Sequence, residues 1–295
     1  MSSPKWIIKD LLKVTASYLD TKAIDNPRLC AEILLAHQLQ TSRIKLYLDF
    51  DQPLSDRDIH QYRVMVKRLL SREPVQYITG IQEFWSMEFK VNPLVLIPRP
   101  ESEVLVEQVI SVFRDEKPVE GTCFHILDIG TGSGAIAVSL AKEIKGATVW
   151  ATDISQEALN IAELNSRRQG VRDKINFRQG DLFQPIMTED VKFDIIVSNP
   201  PYIASEDFDS LPMQVRGFEP RLALDGREEG LFFIEKIIRE APDYLNPGGL
   251  LFIEMDPGQI SRAMDRIEKT GQYGECGIIR DYTHKERVVK ARRII

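Results

Sequence analysis

From Trp6 to Leu48 the apolar residues keep helical spacing, with Trp6, Ile7, Leu11, Leu12, Val14, Tyr18 and Leu19 forming the first stripe. The pattern predicts an amphipathic helix. Asn26 before Pro27 reads as an N-cap and first helical residue for a helix through Ala36. Ser55 with Asp58 resembles a capping box, with Asp in place of Glu or Gln, ahead of the stripe Ile59, Tyr62, Met65, Val66, Leu69 and Leu70. Residues 1–73 are therefore expected to form a small all-α bundle. Between Pro74 and Pro100 the pattern turns to short β-like pieces at 84–91 and 94–97, broken by Gly80 and Asn92-Pro93, which predicts a β-hairpin linker over 74–100. Pro98-Arg99-Pro100-Glu101 then opens a helix to about Phe113, with acidic residues in its first turn where the helix dipole favours them.

After the polar break Asp115-Glu116-Lys117-Pro118, short apolar runs alternate with longer helical stretches, the signature of parallel βαβ units. Strands are predicted at 124–129, 147–152, 174–178, 193–198 and 250–255. Two more, at 276–281 and 286–292, leave no room for a helix between them, so that pair is expected to be antiparallel. The expected fold is α/β over residues 101–295, with a mostly parallel seven-stranded sheet.

Composition alters this picture little. The 295 residues are 43% hydrophobic and 28% charged, ordinary for a globular chain and long enough for two domains. The net charge of −6 argues against a protein held to nucleic acid mainly through phosphates. Residues 1–73 carry instead a net charge of about +3, an asymmetry that can mark a partner-binding module or simply a solvated face. No apolar run is long enough for a membrane span and the amino-terminal residues lack a signal-peptide core, so a cytoplasmic protein is expected. Three scattered cysteines and four scattered histidines predict reduced thiols and no metal site.

The candidate chemistry lies where the run Phe193-Asp194-Ile195-Ile196-Val197 is halted by Ser198-Asn199-Pro200-Pro201-Tyr202. Neither proline has an N–H to donate, and each restricts the residue before it. What remains is a side-chain amide, an aimed carbonyl and an aromatic face at a strand's carboxyl end. An amide or exocyclic amine nitrogen is a poor nucleophile. It is helped by two acceptors for its N–H groups, here the Asn199 side-chain oxygen and the Pro200 carbonyl, with Tyr202 stacking on the flat group and attracting a sulfonium methyl. A bare strand-ending turn is the alternative reading of Asn-Pro-Pro-Tyr taken alone.

Upstream, Asp128-Ile129-Gly130-Thr131-Gly132-Ser133-Gly134 ends the first parallel strand and leads into an apolar helix, so the backbone can come close to a ligand there. The third glycine comes one residue too early for G-x-G-x-x-G, which disfavours a pyrophosphate-binding site. Asp153 ends the next strand, where a carboxylate can accept both hydroxyls of a ribose; a helix cap is its alternative role, which Ser155 can fill instead. Asp181 and Leu182 follow the third strand as an acidic and apolar pair suited to an adenine. Gly130 to Gly134, Asp153, Asp181, Leu182 and Asn199 together suggest a site for S-adenosyl-L-methionine.

Motif for motif, the chain resembles the class I S-adenosylmethionine-dependent methyltransferases and, within them, the HemK/PrmC family of peptide chain release factor glutamine N5-methyltransferases. The matching stretches are Glu73 to Gly80, Ile97-Pro98-Arg99-Pro100-Glu101-Ser102-Glu103, Gly130 to Gly134, Asn199 to Tyr202, and Glu219-Pro220-Arg221-Leu222-Ala223-Leu224-Asp225-Gly226. Asn-Pro-Pro-Tyr is shared with many amino methyltransferases, whereas the Pro-Arg-Pro-Glu and Glu219 to Gly226 segments are particular to this family. The resemblance implies a Rossmann-like catalytic domain and a helical amino-terminal domain that grips the release factor. It implies modification of the glutamine of the Gly-Gly-Gln tripeptide, with Asn199, Pro200, Pro201 and Tyr202 holding that glutamine. One position departs from the family: Asp256 stands where a glycine is usual, two residues after Glu254. Two other readings compete, an amino methyltransferase acting on a DNA or RNA base and a noncatalytic adaptor built on the cofactor fold. Against the first, Glu206, Asp207 and Asp209 follow the Asn199 turn, where a phosphate-binding enzyme needs cations.

Overall fold

The structure, a computed structural model, describes residues 6–116 and 123–294. Lys117 and Pro118 of the polar break, and residues 1–5, lie outside them. The chain divides into two compact units, Met1–Gly80 with Pro212–Phe218, and Ile81–Leu211 with Glu219–Ile295.

The first unit carries α1 (Ile8–Thr21), α2 (Pro27–Gln38), α3 (Arg43–Leu48), α4 (Asp56–Leu70) and α5 (Val75–Thr79). Its stripes converge on one core that includes Leu12, Leu19, Leu34, Leu35, Leu46 and Tyr62. Ser55 caps α4 as read, its side chain accepting from Asp58 N–H at 3.2 Å. Asn26 does not cap α2: its backbone is left-handed (φ 50°) and its side chain makes no cap bond. Residues 75–79, expected within a β-like linker, are a short helix that ends at Gly80, whose φ of 70° is the usual left-handed stop.

The second unit opens with the antiparallel hairpin β1 (Ile81–Phe84) and β2 (Met87–Lys90). The expected strand at 84–91 thus contains the turn itself, and 94–97 is no strand at all. The turn escapes the usual signal because Trp85 and Ser86 occupy its left-handed positions (φ 51° and 55°), where Asn-Gly is the usual pair. Glu103 compensates by accepting from Trp85 N–H at 2.7 Å.

Next come α6 (Glu103–Glu116), β3 (Phe124–Ile129), α7 (Ala135–Glu143), β4 (Ala147–Asp153), α8 (Gln156–Arg168), β5 (Ile175–Gln179) and β6 (Phe193–Ser198). A single turn α9 (Met213–Arg216) lies in the segment grouped with the first unit, and α10 (Phe232–Glu240), β7 (Leu245–Glu254), α11 (Ile260–Thr270), β8 (Tyr273–Arg280) and β9 (Glu286–Arg293) complete the chain. The seven strands predicted after residue 118 are all present. The largest boundary difference is in β7, which starts at Leu245, five residues early, because Asn246-Pro247-Gly248-Gly249 is bridged across a register shift beside Phe193 and Ile195.

The described residues form a seven-stranded sheet in the order β5-β4-β3-β6-β7-β9-β8, with β9 antiparallel to its neighbours β7 and β8. Side chains alternate between its faces, so Ile126, Ile195 and Val197 join one core with α6 and α7, while Leu127, Ile129 and Ile196 join another with α10 and α11. This is the Rossmann-like methyltransferase arrangement. Strand order reverses between β3 and β6, and in open α/β sheets ligands bind outside the carboxyl ends at that reversal. Ile129 pairs with Ser198, so the glycine loop and the Asn199 turn leave adjacent strands at the same level.

Candidate active site

At that switch point is a cavity of about 450 Å³, within the usual range for small-molecule sites. Its lining includes Gly130, Gly132, Asp153, Asp181, Leu182, Asn199 and Pro201. Buried Ser133 and Thr131, Gly134, Pro200 and Tyr202 surround it without lining it.

The glycine loop satisfies itself. Gly130 N–H and Thr131 N–H both donate to the Thr152 carbonyl at 2.9 Å, and Gly132 N–H donates to Asp153 Oδ2 at 2.9 Å. Asp128, 1% exposed, accepts from Thr131 Oγ1 at 2.7 Å and from Ala137 N–H at 3.2 Å. Burial pushes its carboxyl up to about 7, with the neighbouring Asp153 adding to the shift. Gly130 and Gly132 have positive φ, and a Cβ on either meets nothing within 4 Å, so a side chain there projects into open space. Gly134 is different: its Cβ would stand 2.9 Å from that of Ala162 in α8. Asn165, also in α8, donates to the Ser133 carbonyl at 2.8 Å and to the Lys90 carbonyl at 3.0 Å, so the hairpin is tied to the loop.

Asp153 ends β4 with its other oxygen accepting from Ser155 N–H at 2.9 Å. Ser155, not Asp153, caps α8. Burial raises the Asp153 pKa against the opposing pull of its backbone N–H donors. Asp181 is held by Lys236 Nζ at 2.7 Å, and Leu182 adopts a left-handed backbone (φ 47°) with its side chain packed on the core. Bare glycine backbone, a half-buried carboxylate and an apolar and acidic pair lining one cavity fit an adenosine bearing an amino acid tail.

The Asn199 turn is built differently. Asn199 Nδ2 donates to Ser102 Oγ at 2.9 Å, which turns Oδ1 the other way. Among the described residues no donor reaches Oδ1 or the Pro200 carbonyl. The Tyr202 carbonyl accepts from Gln259 Nε2 at 2.8 Å, while its ring packs against the core cluster of β6, β7 and α10. Burial raises the Tyr202 hydroxyl pKa, helped by the negative charge of Glu254. Gly226 and Gly230 press on the turn: a Cβ on Gly226 would lie 2.7 Å from the Pro201 carbonyl, and one on Gly230 2.1 Å from that of Tyr202. Glu219 is buried, accepting from Ile97 N–H at 3.2 Å and pairing with Arg99, so the two most particular family segments clasp each other. Asp256 has extended geometry (φ −67°) and caps the following turn by accepting from Gly258 N–H at 2.8 Å, so no glycine is required there.

Ser102, Glu254, Gln259 and Gly230 were not singled out from local pattern. Ser102 lies inside the Ile97 to Glu103 stretch, directly after Pro-Arg-Pro-Glu, which is the one signal that points to it. The family description "PrmC N-terminal domain" matches residues 10–80, and "Methyltransferase small domain" matches 106–214. A protein of Geobacter sulfurreducens called release factor glutamine methyltransferase is 42% identical over 97% of both chains. One of Rhodopirellula baltica with the same name is 38% identical over 98% of this chain and 97% of its own.

The chain belongs to the release factor glutamine methyltransferase family. A solved methyltransferase structure from Pyrococcus furiosus, 18% identical, superposes with a TM-score of 0.52 over 80% of this chain and 99% of its own, which supports the methyltransferase fold. Within this family the buried clasp and the anchored asparagine give physical reasons for motifs that resemblance alone only labels.

Proposed function

We propose that the protein methylates the side-chain amide nitrogen (N5) of the glutamine in the Gly-Gly-Gln tripeptide of peptide chain release factors, with S-adenosyl-L-methionine as methyl donor. The observation that carries the reading is the Asn199 amide, anchored through Nδ2 so that its oxygen is left to accept. Family membership at 42% identity supports the substrate class. When bound, the cofactor supplies an electrophilic methyl group that already carries its own leaving group. The chain's residues therefore orient the nitrogen instead of activating a donor. Asn199 Oδ1 and the Pro200 carbonyl accept its two N–H groups, Pro201 shapes the wall, and Tyr202, expected to stack on the flat group, instead buttresses the turn with its ring packed on the core. Gly130 and Gly132, in a loop shaped by Thr131, Ser133 and Gly134, would hold the cofactor's tail, Asp153 would take the ribose hydroxyls, and Asp181 with Leu182 would receive the adenine. Holding a near-attack geometry of this kind is worth several kcal/mol without a strong base.

The helical domain, residues 1–73, is assigned to capture of the release factor, on its charge of about +3 against an acidic remainder. Reversing two exposed charges there, Arg57→Glu with Arg63→Glu, should raise KM for intact release factor and leave a short Gly-Gly-Gln peptide unaffected. Equal effects on both substrates would remove that assignment. No helix among the described residues is long and apolar enough to cross a membrane, and work on a translation termination factor suits the cytoplasm. The central test uses methyl-labelled cofactor with a release factor and with the same factor lacking its Gly-Gly-Gln glutamine. Label on the first alone is expected; label on both, or on DNA or RNA instead, defeats the reading.

A further inference from the structure

Glu254 ends β7 directly behind the Asn199 turn. Ser198 pairs with Ile253 between β6 and β7, so Glu254 stands one step beyond, at the level of Asn199. It is 1% exposed, and its Oε2 is buried with no hydrogen-bond partner. Such a carboxylate is costly to bury, and stability gives no reason for it. The nearby Ser102 side chain favours its charged form, and Ser102, 4% exposed, is the residue that accepts from Asn199 Nδ2.

We propose that Ser102 and Glu254 form a positioning chain that selects which end of the Asn199 amide faces the cavity. The inference rests on the proposed role of Asn199 as an acceptor and goes beyond it. A carboxylate only accepts, a hydroxyl has one proton, and an amide has one accepting and one donating end. With Glu254 ionised, the Ser102 proton is committed to the carboxylate, and Ser102 Oγ is left as an acceptor. Only Asn199 Nδ2 satisfies it, so Oδ1 is turned outward. Without a charged Glu254 the hydroxyl is free to donate to Oδ1, the amide can flip, and its N–H groups then face the N–H groups of the substrate. Two donors meeting in a buried site forfeit the bond.

The groups that bear on the charge of Glu254 are known. Arg287 favours the carboxylate, Glu101 and Asp281 oppose it, and Tyr202 lies close with its own proton held by burial. Arg287 is shared, since its Nε also bonds Asp281 Oδ2 at 3.3 Å. Burial is the dominant effect and pushes Glu254 up to about 7. The aligned state therefore exists above that pH and is lost as the pH falls through it.

The test is single-turnover methyl transfer by the full chain to a release factor, alongside calorimetric cofactor affinity and thermal unfolding. Ser102→Ala should lower the rate about tenfold or more with cofactor affinity unchanged, and Ser102→Thr, which keeps the hydroxyl, should recover most of it. Glu254→Gln, whose amide can both donate and accept, should slow the reaction and abolish its fall below about pH 7. Asn199→Ala run in parallel separates the two ideas. If that variant is also fully active, the acceptor role of Asn199 fails. If it is inactive while Ser102→Ala keeps the full rate, or Glu254→Gln keeps the acid limb, the positioning chain alone is overturned. A loss of cofactor affinity matching the loss of rate in Ser102→Ala would likewise reduce Ser102 to a structural role.

Discussion

Two loops leave adjacent strands at the same level and solve opposite problems. The glycine loop after β3 takes left-handed conformations at Gly130, Gly132 and Gly134 and hydrogen-bonds mainly to itself and to Thr152 and Asp153 at the end of β4. The turn after β6 is stiffened by Pro200 and Pro201 and is held by residues far away in the chain, Ser102, Gly226, Gly230 and Gln259. One is a surface that leaves room for a ligand. On the proposed function, the other points two oxygens at the substrate. Room can be made by omitting side chains, whereas aim needs outside support.

The comparison is broken most sharply at Asn199. Asn199→Ala leaves a substrate N–H unpaired in a desolvated pocket, about 1 to 3 kcal/mol, and adds misorientation, so single-turnover transfer should drop about 100-fold or more with cofactor affinity intact. A variant keeping most of its rate would take the turn out of the mechanism. On the glycine side, Asp153→Ala should show the reverse profile. Losing charge-assisted bonds worth roughly 1.5 to 3 kcal/mol weakens cofactor binding about tenfold to 100-fold, read by calorimetry, with little change in rate at saturation.

A matched pair of glycine substitutions sharpens the contrast. Gly230→Ala and Gly134→Ala both add a Cβ at positive φ against close neighbours, and each should cost about 1 to 3 kcal/mol of stability in urea unfolding. The functional loss should differ: Gly230→Ala displaces the Tyr202 carbonyl and lowers the rate, and Gly134→Ala pushes on α8 and lowers cofactor affinity. Identical kinetic profiles would mean that the two loops are not separable. A further effect, on stability alone, concerns Asp128. With its pKa raised to about 7, the folded chain retains a proton that the unfolded chain releases near pH 4, so stability falls as the pH rises through that window. Asp128→Asn cannot ionise and should flatten part of that slope, leaving the portion due to Glu254; an unchanged slope would show that Asp128 is not the group that titrates.

The same contrast explains what could be read from the chain. Strand periods at 124–129 and 193–198 and the Gly130 to Gly134 spacing are local signals, and both strands appear at the predicted residues. The hairpin turn escapes the local pattern because Trp85 and Ser86 carry a turn that composition assigns to Asn and Gly. Around Asn199 the supports are separated from it by up to 97 positions, as with Ser102, and no local pattern joins them. A polar residue such as Glu254, closing an apolar strand, looks like an ordinary strand end until its neighbours are known.

The clasp of Glu219 on Ile97 and Arg99 has one further consequence, for the order of events in synthesis. It joins residues more than 100 positions apart, so its formation carries the delay of a long loop closure. On the ribosome the segment Pro93 to Leu96, one wall of the cavity, emerges early and waits for its latch. Until the stretch around Glu219 has left the exit tunnel, a nascent chain has the glycine loop and this wall but not the latch that holds the wall in place.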